Sequence, residues 1–173
     1  MALRLRSAAV GSVLLCALVA HAGPAANGAH SLAYPPLVER ECLITRPNGV
    51  SYPVKPAGGN HGNEALVTQL CSGPVVFRPG GPGSVQPDGA LAMKWGWWRA
   101  RPGQLTIQGE RIDAPAAALR SSIPCCYGEL GFQSSAVIFP SPGCWRVTGR
   151  VGDGSLTFVV KVEKVGEGPI PRR

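Results

Sequence analysis

The chain has 173 residues, a formal net charge of +7 and 45% hydrophobic residues, with 23 glycines and 17 prolines. That length makes one ordinary domain with a core of its own, and glycine and proline scattered between short apolar runs exclude a helical bundle in favour of strands and turns. The basic excess contains no block of five like charges, so a dedicated nucleic-acid surface is not expected.

At the N-terminus, Arg4 and Arg6 precede an apolar run over 8–19 and the small-x-small site Ala20-His21-Ala22. This is the pattern of a secretory signal peptide cleaved after Ala22. A spanning helix would need about 20 apolar residues, so no transmembrane segment is expected in the mature chain. Cys16 follows Val13-Leu14-Leu15, but Leu15 stands where a lipidation site carries a small residue, and a lipid anchor is not expected. Loss of residues 1–22 lowers the charge to +5. Residues 23–40 read as a weakly ordered leader, 41–165 as the folded domain and 166–173 as a flexible tail. The protein is therefore expected to be exported, to the periplasm or beyond the cell.

Seven strands are predicted within the domain, over 65–70, 75–78, 91–99, 104–112, 133–139, 144–151 and 156–163. Residues 114–119 between them could form one helical turn or a loop. The last three strands carry the clearest alternation, because successive side chains on a strand point to opposite faces. Ser135, Val137 and Phe139 oppose Ala136 and Ile138, which suits a central strand that Pro140 and Pro142 then terminate. Trp145, Val147 and Val151 form one face of the next strand, against Cys144, Arg146, Thr148 and Arg150. After the turn-forming residues Gly152-Asp153-Gly154-Ser155, the core face continues with Leu156, Phe158, Val160 and Val162. These three strands are expected to make a meander. Seven short strands with turns between them suggest an all-β, immunoglobulin-like sandwich.

Processing removes Cys16 and leaves Cys42, Cys71, Cys125, Cys126 and Cys144, an odd number in a compartment that permits disulfides. Spacing does not choose a connectivity. The bridge favoured here is Cys42 to Cys144, which closes a loop of about 100 residues, worth about 4.7 kcal/mol in the chain-entropy model before strain. A second bridge from Cys71 to Cys125 or Cys126 is the companion expectation. There is no Cys-x-x-Cys pair to build a zinc tetrahedron, and His30 and His61 do not follow Cys144 at copper-ligand spacing. No metal and no cofactor are expected.

Catalytic patterns are equally sparse. His61 sits in Gly58-Gly59-Asn60-His61-Gly62-Asn63, which reads as a flexible loop with an exposed histidine. No nucleophile elbow or phosphate-binding loop occurs; Pro79-Gly80-Gly81-Pro82-Gly83 lacks the following lysine and reads as a turn. Asp88, Glu110, Asp113, Glu129 and Asp153 could supply a pair of acids, but nothing in the sequence pairs them.

The unusual element is Met93-Lys94-Trp95-Gly96-Trp97-Trp98-Arg99. On a strand, Trp95 and Trp97 share one face and Trp98 takes the other. Two readings stand side by side. In the first the rings belong to the core, with arginine covering an edge; in the second Lys94, Trp95, Trp97, Trp98, Arg99 and Arg101 form a binding surface for a sugar, a cation or a partner protein.

The blocks Pro87-Asp88-Gly89-Ala90-Leu91-Ala92-Met93-Lys94, Trp97-Trp98-Arg99, Tyr127-Gly128-Glu129-Leu130-Gly131-Phe132-Gln133-Ser134 and Pro142-Gly143-Cys144-Trp145-Arg146-Val147-Thr148-Gly149, with flanking segments over 62–66 and 105–114, are similar to those of a group of uncharacterised bacterial exported proteins. The resemblance covers residues 42–162. It implies an envelope or secreted protein with an immunoglobulin-like sandwich, and it transfers no functional residue. Where that pattern carries an Asp-Gly turn, this chain has Cys125-Cys126. The expectation is thus an exported, non-enzymatic sandwich module that binds a protein or cell-envelope component. A carbohydrate-binding module using the tryptophans comes second, and a hydrolase third.

Overall fold

A computed structural model describes residues 41–53 and 58–169. The expected signal peptide, the leader and Cys16 lie outside them. Among the described residues ten strands run in order: β1 (His61–Gly62), β2 (Leu66–Thr68), β3 (Val75–Phe77), β4 (Ser84–Val85), β5 (Leu91–Arg99), β6 (Thr106–Arg111), β7 (Arg120–Ser122), β8 (Gly131–Phe139), β9 (Gly143–Val151) and β10 (Gly154–Lys164). Each of the seven predicted runs holds a strand, and the three short additions are β1, β4 and β7. Residues 114–119 hold no helical turn.

The strands form two sheets, the layered arrangement of a β-sandwich. The first has the order β1-β2-β5-β8-β7, with β4 also pairing with β5; the second has the order β3-β10-β9-β6. All pairings are antiparallel except that of β3 with β10. The expected meander is therefore not formed. β8 lies between β5 and β7 in the first sheet, whereas β9 and β10 form a hairpin in the second. The turn through Pro140 and Pro142, where neither proline can donate a ladder hydrogen bond, crosses between the sheets. The Trp145 Nε1–H donates to Ser141 O at 3.1 Å and ties this crossing to the core.

The alternation read from the sequence points inward as expected. Leu91, Met93, Trp95 and Trp97 on β5 meet Trp145, Val147 and Val151 on β9 and Leu156, Phe158, Val160 and Val162 on β10, all buried. Trp95 stacks on Phe158 with centroids 5.8 Å apart, and Phe139 meets Trp145 edge-on at 5.7 Å. Burying large aromatic and branched side chains from both inner faces supplies the main driving force for this packing. Inside the core, Thr68 Oγ1 accepts from Trp95 Nε1–H at 2.8 Å and donates to Gly96 O at 2.9 Å, which satisfies the one polar atom of that indole.

The flanks are closed by the chain's own segments. Thr45 N–H donates to Val159 O at 2.9 Å on the edge of β10, and Asn48 exchanges two hydrogen bonds with the backbone of Gly62 in β1. Residues 41–53 thus join the edge of one sheet to the edge of the other, which removes unpaired edge groups that would invite aggregation. The Cys42–Cys144 disulfide forms as expected, spanning 102 positions with the Cα atoms 5.6 Å apart. Cys125 bonds its neighbour Cys126. The expected bridge from Cys71 to either of them is therefore not formed, because each already has the other as its partner. Gly168 and Pro169, at the start of the expected tail, are buried.

Candidate functional site

β5 brings its tryptophans to opposite faces. Trp95 and Trp97 are 5% and 0% exposed and belong to the core, so a stacking surface made of all three tryptophans is not formed. Trp98 is the half-buried ring, on the outer face of the first sheet. Gly58 lies against it so closely that a Cβ there would overlap the indole.

Across the β5–β8 pair, Trp98 stands opposite Phe132. Their rings meet edge-to-face, with centroids 5.2 Å apart and planes at 60°; Phe132 in turn meets Tyr127 at 6.4 Å and 71°. Tyr127, Leu130 and Phe132 are exposed at 38%, 53% and 41%. The result is a continuous aromatic row with an adjoining leucine. In the sequence Tyr127, Leu130 and Phe132 share one motif, and nothing local sets them beside Trp98. Only the cross-strand register does that.

The basic residues of the same stretch do other work. Arg99 is 4% exposed. Its Nη1 donates to Gly103 O at 2.9 Å and its Nη2 to Gly128 O, so it holds two loops at one end of the sandwich rather than facing a ligand. Arg101 pairs with Asp153 at 3.0 Å and lies 3.9 Å from Glu64. Lys94 is exposed on the face that carries Trp98, but four residues along a strand separate them by about 13 Å. The exposed row is thus apolar, with Lys94 as a distant basic neighbour.

Four of the five candidate acids are each taken up by an arginine. Asp88 pairs with Arg120 at 2.6 Å, Asp113 with Arg111 at 2.7 Å, and Glu110 with Arg146 at 3.0 Å; Asp153 faces Arg101. The backbone N–H of Ala90, aided by Arg120, holds the Asp88 carboxyl below its ordinary pKa. Burial works to raise Asp113, yet hydrogen bonds from Arg111 and at the Cys144 backbone, with the arginine charge, leave it lowered. Both carboxylates are kept ionised, which suits ion pairing and not general-acid catalysis. A shallow depression lined by Arg111, Pro142, Gly143, Lys161, Glu163 and Lys164 holds the Arg111–Asp113 and Lys161–Glu163 pairs, with Lys164 as a further basic group.

His61 departs from expectation. It is buried at 8% exposure in β1, with its ring edge-on to Phe158 at 6.3 Å, because Asn48 and Asn60 bind the backbone around it into the sheet edge. Burial lowers its pKa, and Nδ1 has no hydrogen-bond partner among the described residues. Nor do three or more His, Cys, Asp or Glu side chains among the described residues gather as metal ligands.

Fold and site together define an all-β sandwich domain with an apolar aromatic row on its outer face. No protein-family model matches the chain, and no curated protein matches it at a significant level.

Proposed function

We propose that this chain is an exported, non-enzymatic, immunoglobulin-like module that binds a protein partner of the cell envelope through Trp98, Phe132, Tyr127 and Leu130. The observation that carries the reading is the edge-to-face geometry of the exposed row. A sugar platform needs coplanar rings beside polar groups, whereas these planes cross at 60° and 71° beside a leucine. Aromatic side chains that are partly desolvated in this way are typical anchors of protein interfaces.

Two further features support parts of the reading. The order β2-β5-β8-β7 in one sheet against β10-β9-β6 in the other, with β3 parallel to β10, matches the two-sheet, Greek-key arrangement of immunoglobulin domains. The disulfide of Cys42 with Cys144 suits an oxidising compartment, as does the secretory pattern of residues 1–22.

The test is site-specific photocrosslinking in producing cells. A photoreactive residue at position 132 is expected to yield one discrete protein adduct, lost in a Leu130→Glu background, while the same residue at Gln108 on the opposite sheet yields none. Equal adducts from both positions, or glycan adducts at 132, would overturn the reading.

A further inference from the structure

We propose that Cys125–Cys126 is a thiol–disulfide exchange site whose substrate is a dithiol, small or protein-borne. Three observations carry it. First, this bridge joins residues one position apart, so it closes no loop and lacks the chain-entropy role that accounts for Cys42–Cys144. Second, both residues are exposed, whereas Cys144 is 1% exposed. An attacking thiolate must reach a sulfur, so exchange selects the open pair. Third, Cys126 has φ 72°, the one non-glycine residue with positive φ among the described residues. An L-residue rarely adopts that conformation without a constraint, and opening the two-residue ring frees it to leave.

The surroundings let the ring open without unfolding the domain. Gln133 Nε2 donates to Pro124 O at 3.3 Å on one side, and Arg99 Nη2 donates to Gly128 O on the other. The segment is therefore held at both ends while the two cysteines exchange. Tyr127 follows immediately, so the redox state of the pair also sets where that ring stands relative to Phe132. This last consequence rests on the reading of the aromatic row as a binding surface; the exchange itself does not.

In the forward direction a thiolate of the dithiol attacks one Sγ of the pair. The Cys125–Cys126 S–S bond breaks, and the departing thiolate takes a proton. The second thiol of the dithiol, deprotonated, then attacks its own sulfur in the mixed disulfide and releases the other cysteine, which is also protonated. The pair has gained two electrons and two protons, and the dithiol has become a disulfide. The reverse reaction reoxidises the pair.

The experiment treats the native protein with dithiothreitol, quenches with an alkylating agent over time and locates the label by peptide mass spectrometry. Cys125 and Cys126 are expected to become labelled at least about tenfold faster than Cys42 and Cys144, and, once the dithiothreitol is removed, to close again with oxidised glutathione. A Cys125→Ser variant is expected to fold and to form a mixed disulfide at Cys126 with a small disulfide. Labelling no faster than Cys42–Cys144, a pair that stays reduced under oxidised glutathione, or a folded variant whose Cys126 forms no adduct would each overturn the proposal. These readouts use no partner protein, so loss of the crosslink at position 132 and loss of exchange are separate results.

Discussion

Gly149 of β9 lies directly beneath the six-membered ring of Trp97 on β5: a Cβ at 149 would stand 2.5 Å from Trp97 Cζ3. The absence of a side chain at Gly149 makes room for the indole that Trp97 brings from the facing sheet. Gly149→Ala is expected to force Trp97 aside and to cost about 1–3 kcal/mol, the usual range for overpacking a dense core. Urea unfolding would measure it. An unchanged midpoint would show that Trp97 has slack the packing does not suggest.

The polar link beneath the tryptophans yields a second expectation. Thr68→Val keeps the shape of the side chain but leaves the Trp95 indole N–H without its acceptor. A buried unsatisfied donor costs about 1–3 kcal/mol. Thr68→Ser, which retains the hydroxyl, should recover most of that loss in the same unfolding measurement.

The two disulfides should separate in stability. Replacing both Cys42 and Cys144 by serine removes a bridge across 102 positions and is expected to cost about 2–4 kcal/mol. The same double replacement at Cys125 and Cys126 should change stability by less than about 1 kcal/mol, because no loop is released. Calorimetry of the two variants gives the comparison directly, and equal losses would contradict it.

Stability should fall as pH drops through the range where His61 would take up a proton. Its folded pKa lies below the ordinary 6.5 because burial disfavours the charged ring. Between the two values the unfolded chain binds more protons, so stability is present above about 6.5 and is lost as pH falls toward the folded value. His61→Phe should flatten this part of the profile. Asp88 and Asp113, with pKa values lowered from 3.8, act in a more acid window, where their contribution disappears as pH falls below that value. A profile between pH 7 and 5 that is identical in the wild type and the His61 variant would count against the assignment.

Iodide quenching should report one tryptophan. Trp95, Trp97 and Trp145 are buried, and Trp98 is half-buried. Trp98→Phe is therefore expected to abolish nearly all quenchable emission, whereas Trp95→Phe leaves it in place.

The faces of the long strands were legible in the sequence. The alternation of Trp145, Val147 and Val151 against Arg146, Thr148 and Arg150 follows from local backbone geometry, and the structure points each set as the alternation requires. The separation of Trp98 from Trp95 and Trp97 was legible for the same reason. What was not legible was sheet membership. Nothing local to residues 140–142 says whether the turn continues one sheet or crosses to the other, and the meander expectation failed there. His61 was misread because its glycine-rich neighbours resemble a loop, while the asparagine side chains that bind this segment into the sheet edge act between residues 10–14 positions apart.

The sequence by itself determined the strand class, the inward sides of β9 and β10 and the turn positions, since these depend on residues within a few positions of one another. Only the tertiary structure decided that Phe132 stands opposite Trp98, that Arg99 is spent on the carbonyls of Gly103 and Gly128, and that Cys125 closes on Cys126. The first two depend on register between strands or loops distant in the chain. The third depends on the local backbone conformation, with Cys126 at φ 72°, that turns the two side chains toward each other.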